Sequence, residues 1–168
     1  IRHLDAEERL AEDEAEALRD FASDEADPGW ATSFQVFRMI DDEVHWDRAR
    51  LWVARLFAYA PGQRFPTEPL HFQQIPTSIP GDRVQQTTLR IQHFSSVSAA
   101  DREARYQKYL ESDRGRRVRQ RYANLLTPSG ALNQWEPRPP SLPVTTHGRG
   151  RTDLGGPPLV SVIVTVGG

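Results

Sequence analysis

The chain has 168 residues, a length that suits one domain and rarely two. With 21 basic against 23 acidic residues the formal net charge is −2, which argues against a dedicated nucleic-acid binder. Zero cysteines exclude disulfide scaffolds, Cys-ligated zinc and thiol nucleophiles, and no apolar run reaches the ~20 residues of a bilayer-crossing helix.

Residues 8 to 22 predict a helix, because Leu10, Ala11, Ala15, Leu18 and Phe21 recur at three- and four-residue intervals with acids on the other face. From Ile1 to Asp27 there are eleven Asp or Glu against three Arg. Asp27-Pro28-Gly29 marks a turn, and the alternation from Trp30 to Ile40 predicts a strand that Asp41-Asp42-Glu43 closes with another turn. Residues 50 to 59 are apolar on both faces and read as a strand, although a buried helix fits the same pattern. Pro66, Pro69, Pro76 and Pro80 frame a long irregular stretch around Leu70-His71-Phe72, a length that points to a functional or disordered loop.

Thr88 to Phe94 predicts a short strand carrying His93. Ser98 with Asp101 three residues on resembles a capping box opening a helix to about Ser112, and a second helix is expected from about Arg116 to Leu126. Residues 137–158, rich in Pro and Gly, read as a linker, and Leu159 to Val166, almost continuously β-branched, as a buried parallel-type strand. The start at Ile1 and the stop at Gly167-Gly168 directly after that strand lead us to expect an internal segment of a longer protein.

Three groups of residues carry possible chemistry. The acids of Leu4-Asp5-Ala6-Glu7-Glu8 alternate so that Asp5 and Glu7, at a strand end, converge on one hard divalent cation; the same acids equally suit the positive end of a helix dipole. His71 lies in a Pro-framed loop, where an imidazole either orients or deprotonates a hydroxyl or is an idle surface histidine, while His93 is either a metal ligand or a hydrogen-bonded core histidine. Arg102, Arg105 and Lys108 recur every third residue of the capped helix, a row that meets phosphates or is simply solvated. The later Arg114-Gly115-Arg116-Arg117-Val118-Arg119 run lacks the interleaved aromatics of a nucleic-acid stacking platform.

Taken in order, these pieces resemble the later part of a family 2 glycosyltransferase domain with the GT-A fold. Leu4-Asp5-Ala6-Glu7-Glu8-Arg9-Leu10 is similar to the family's acidic metal motif, and Arg55-Leu56-Phe57 followed by Phe65 and Leu70-His71 continues the likeness. Leu89-Arg90-Ile91-Gln92-His93-Phe94, then Asp101-Arg102-Glu103-Ala104-Arg105-Tyr106-Gln107-Lys108-Tyr109, is similar to a stretch that follows the family's catalytic loop. The resemblance covers about residues 1 to 126; Pro158 to Val164 separately looks like the opening strand of another such domain.

The resemblance implies an α/β fold: a partial GT-A-type mixed sheet flanked by helices, with the N-terminal nucleotide-binding half absent. It implies three units: 1–136, the C-terminal part of one transferase domain; 137–158, the linker; and 159–168, the first strand of a second transferase-like domain in the same chain. The implied enzyme is bacterial, cytoplasmic and inverting. It moves a sugar from a nucleotide-diphosphate donor to a hydroxyl acceptor (glycan, lipid-linked or other), with Mg²⁺ or Mn²⁺ and without nucleic acid. Asp5 would contact donor ribose or metal, Glu7 and His93 would be metal ligands, and Arg102, Arg105 and Lys108 would contact the donor. His71 would sit in the acceptor loop.

Three departures from the pattern stand out. Glu7 replaces the usual second Asp, Arg105 replaces the usual Lys with a differently shaped cation, and Phe72 stands where many relatives carry Glu. The general base is therefore open, with Glu68 nearest and Asp41, Asp42 and Glu43 further alternatives; a non-catalytic α+β interaction module or an inactive transferase-like domain is the competing reading. Because sheet edges would be left unpaired, the chain by itself is expected to be poorly soluble and to turn over no nucleotide sugar. Metal-dependent turnover by soluble, monomeric chain would contradict both expectations.

Overall fold

The fold, taken from a computed structural model, is described for residues 7–27, 29–67, 75–112, 122–128, 130–138 and 146–147, without the side chains of 13, 48–51, 146 and 147. Among these residues it is mixed α/β: one six-stranded sheet and two α-helices. The strands are β1 (Glu8–Leu10), β2 (Ala31–Met39), β3 (His45–Phe57), β4 (Val84–His93), β5 (Asn133–Gln134) and β6 (Thr146–His147); the helices are α1 (Ala15–Asp24) and α2 (Ala99–Ser112). The sheet order is β1-β4-β2-β3-β5, with β6 also on β4; β4 runs parallel to β2 and every other pairing is antiparallel.

The helix expected over residues 8 to 22 is corrected at its start. Glu8–Leu10 is a strand, Ala11 is extended (φ −60°, ψ 145°), and after a 3₁₀ turn at Glu12–Glu14 the helix begins only at Ala15. The three-residue strand is fixed from outside. Glu8, Arg9 and Leu10 pair with His93, Gln92 and Ile91, and the Phe94 N–H donates to the Glu7 carbonyl at 2.7 Å. Glu8 is buried against Arg55 of β3, whose Nη2 donates to its Oε1 at 2.6 Å. A carboxylate with 1% of its side chain exposed needs such a partner, so tertiary pairing outweighs the helical spacing of Leu10 and Ala11.

From Ala15 the helical pattern holds: Leu18 and Phe21 meet Phe34, Val36, Leu56, Leu89 and Ile91 in one apolar cluster, and Ala31, Ala54, Phe57 and Ile75 form a second beside it. The Trp30–Ile40 strand is observed as β2. The segment read as a strand over 50–59 is longer at its start, β3 beginning at His45, and β4 likewise begins at Val84, ahead of Thr88. Parallel pairing with β2 from Ala31↔Val84 onward recruits those extra β4 residues, a long-range contact invisible to local periodicity.

The capping box is present. Asp101 N–H donates to Ser98 Oγ at 3.0 Å while Ser98 N–H donates to Asp101 Oδ2 at 3.0 Å, opening α2. Of the second expected helix, the described part is a 3₁₀ turn at Ala123–Leu125. The Pro/Gly-rich stretch read as a linker is tied to the domain where it is described. Arg138 donates to Glu14 (3.1 Å) and to the Thr88 carbonyl, and Thr146–His147 pair with Gln86 and Thr87. The strand expected over Leu159–Val166 lies outside the described residues. No helix among the described residues is long and apolar enough to cross a membrane.

Removing one partner of a buried ion pair leaves the other charge stranded, at a cost of about 3–5 kcal/mol, whereas an apolar exchange of both is often neutral. Glu8→Ala should therefore lower stability by about that amount in urea unfolding, and Glu8→Leu with Arg55→Met should recover most of it. A single-variant loss below about 1 kcal/mol would contradict a buried role for the pair.

Candidate functional site

The acidic start of β1 and the His93 end of β4 are brought together by the Glu8↔His93 pairing. Beside them opens a hollow of about 300 Å³ lined by Glu7, Glu8, Arg9, Glu43, Phe94 and Val97. Glu8 faces the same side of the sheet as His93, as directly paired residues do, but its carboxylate is taken by Arg55. Glu7 is exposed. Its hard oxygen donors at an open hollow suit a divalent cation of the Mg²⁺ or Mn²⁺ type. Among the described residues no three His, Asp or Glu side chains gather as a metal-ligand set; Asp5, the other carboxylate of the motif, lies outside them, as do His71, Glu68 and Phe72.

His93 is 9% exposed and sits in a polar network. Its Nδ1 lies 2.8 Å from Ser95 Oγ, and Arg105 Nη1 is 3.3 Å from Nδ1 and 3.5 Å from Nε2, so a guanidinium covers the ring. That environment matches the hydrogen-bonded core reading of this histidine and holds its ring in one place beside β1.

The three cations of α2 do not form one row. A three-residue step on an α-helix falls short of a full turn by about 60°, so the row drifts around the axis. Arg102 is buried, its Nη1 donating to Asp41 Oδ1 and to the Ser96 carbonyl, both at 2.9 Å. Arg105 is half-buried between His93 and the Tyr109 ring, while Lys108 is exposed. A shared phosphate grip by all three side chains is not what this arrangement offers. Arg102 instead fastens α2 to the β2–β3 turn.

That turn is strongly determined. Asp41 adopts a left-handed conformation at φ 64°, a region where Asp is among the better-tolerated residues, with Arg102 on its carboxylate. Asp42 Oδ1 accepts the N–H groups of Val44 (2.7 Å) and His45 (2.6 Å), and its Oδ2 lies 2.7 Å from His45 Nδ1. Gln92 Nε2 donates to the Glu43 carbonyl at 3.5 Å, and Arg9 Nη1 reaches Glu43 Oε2 at 3.1 Å. The turn thus delivers Glu43 to the hollow beside β1.

Sequence reasoning missed Arg9 at the hollow and the buried pairing of Arg38 with Asp47, where Arg38 Nε donates to Oδ1 at 2.7 Å. One signal was present: Arg38 interrupts an otherwise apolar strand end, and a charge there needs a partner. No protein-family model matches the chain, and neither a curated protein nor a solved structure matches it significantly.

The hydrogen bond from His45, then the His45 and Val44 N–H groups, hold the Asp42 carboxyl down at about 2, against an ordinary 3.8. Because the folded value lies below the unfolded one, the turn's contribution is complete above about pH 4 and fades as the pH falls toward 2. A carboxyl-carbon NMR titration should place the Asp42 midpoint near 2, and a midpoint at 3.8 would contradict the closed turn.

Proposed function

We propose that this chain is the later part of a metal-dependent, inverting glycosyltransferase domain of family 2. The observation that supports the reading is the pairing of β1 with β4. It brings Glu7 and Glu8 to an open, carboxylate-bearing hollow at the His93 end of β4 instead of dispersing them along a solvated helix. Glu7, with Asp5, would hold Mg²⁺ or Mn²⁺, which when bound supplies positive charge opposite the diphosphate that leaves.

The chain's own residues then have distinct tasks. In one displacement the acceptor oxygen bonds to the anomeric carbon. The bond from that carbon to the diphosphate oxygen breaks with its electron pair, and the acceptor proton passes to a carboxylate or to His71. Glu68 and His71 are the loop candidates for that proton. Arg105 keeps His93 fixed beside the acidic strand, and Lys108 remains exposed for contact with donor or solvent. The nucleotide base would be held by a preceding half-domain of the longer protein, and the 159–168 segment would open a second transferase-like domain. A cytoplasmic enzyme drawing on soluble nucleotide sugars fits this scheme.

The competing reading, a non-catalytic module or an inactive transferase-like domain, draws on two observations. Phe72 replaces the expected Glu, and no three-residue ligand set gathers among the described residues. Hydrolysis and transfer assays on the full-length protein with a panel of nucleotide sugars and Mn²⁺ separate the readings. The transferase reading expects metal-dependent release of nucleoside diphosphate, reduced at least about 100-fold in Asp5→Asn and Glu7→Gln, as for loss of a charge-stabilising group. Release unaffected by both changes, or no release with any donor, would refute it.

A further inference from the structure

We propose that the Arg9–Glu43 ion pair is an exchangeable bridge across the hollow: a diphosphate group takes Arg9 from Glu43 and leaves that carboxylate unpaired at the rim. The proposal rests on the transferase reading and adds to it a contact residue, Arg9, and a coupled carboxylate, Glu43.

Four observations carry it. Among the described residues the charges of the hollow sort unequally: Glu8 is already neutralised by Arg55, which leaves Glu7, Glu43 and one cation, Arg9, along its lining. A divalent cation held there would offset the carboxylate charge, and Arg9 is the guanidinium on hand to meet an anion that approaches it. Next, the Arg9–Glu43 contact is 3.1 Å long but open to water, with side-chain exposures of 59% and 62%, and such pairs hold only weakly. A phosphate takes two parallel N–H groups and carries more charge than a carboxylate, so the exchange is favourable.

Arg9 also has a second anchor. Its guanidinium carbon lies 4.5 Å from the centre of the Phe94 ring, so it stays in place when Glu43 lets go. Finally, the backbone beneath Glu43 cannot follow the side chain away, because Asp41 is fastened by Arg102 and Asp42 by the Val44 and His45 N–H groups. The released carboxylate therefore remains at the hollow, where it can take Arg9 back once the diphosphate leaves.

The test is a double-mutant cycle on the full-length protein, read by calorimetry with Mn²⁺ alone and then with inorganic pyrophosphate added to the Mn²⁺-loaded protein. Arg9→Gln is expected to weaken pyrophosphate at least about 10-fold, as for a charged hydrogen-bonding partner, while Mn²⁺ still binds. Glu43→Gln is expected to tighten it up to about fivefold, the size of an exposed pair. That gain should vanish when Arg9→Gln is already present. A general field effect would instead give equal Glu43→Gln gains in both backgrounds. Additive effects, or pyrophosphate bound equally well without Arg9, would overturn the exchange while leaving the transferase reading standing. Wild-type protein that binds neither Mn²⁺ nor pyrophosphate would overturn both.

Discussion

The rest of this structure depends on three residues of β1 laid against the end of β4. A strand that short has little stability of its own. It is held by the Glu8↔His93 register, by the Phe94 N–H on the Glu7 carbonyl at 2.7 Å, and by Arg55 reaching the Glu8 carboxylate from β3. The consequence is geometric. Glu8 turns inward to a guanidinium, and its neighbours Glu7 and Arg9 are left on the rim of the hollow that also receives Glu43. Without that pairing the acidic run would be a charged approach to α1 and nothing more.

Charge, more than apolar surface, sets the positions at this end of the sheet. Arg38 grips Asp47, Arg102 grips Asp41, Arg105 covers His93, and Glu14, wholly buried, takes both Arg90 (2.5 Å) and Arg138 (3.1 Å). Arg90 also stacks on Trp135 and donates to the Glu136 carbonyl, so Trp135 and Glu136 are tied to β4. Buried pairs of this kind add little net stability compared with apolar residues of the same volume, but breaking one is costly. Their effect is to make wrong registers expensive.

The legible parts of the sequence were those with local signals. The alternation of β2, the Ser98–Asp101 box of α2, the Asp41–Glu43 turn and the apolar face of α1 from Ala15 were all read from neighbours a few residues apart. The illegible parts were long-range. Glu8–Leu10 continues a helical spacing and becomes a strand only because residues 91–93 and Arg55 claim it. The three cations of α2 share a spacing but not an environment, since Arg102 answers to Asp41, 61 positions away. Glu43 could be suspected as a spare carboxylate, yet its place at the hollow follows from a hairpin and a pairing that no window of sequence contains. Asp5, Glu68 and His71 lie outside the described residues, so for them the resemblance alone speaks.

The proposed function therefore stands on one claim: Glu7, set at the hollow across from Phe94 by the β1–β4 pairing, would help hold a divalent cation. Paramagnetic broadening by substoichiometric Mn²⁺ tests this most directly, since it reads proximity without requiring turnover. The account predicts selective loss of the backbone amide signals of Glu7, Glu8 and Phe94, with those of α1 retained and the effect abolished in Glu7→Gln. Uniform broadening over the acidic surface of α1, or none at β1 and Phe94, would contradict it.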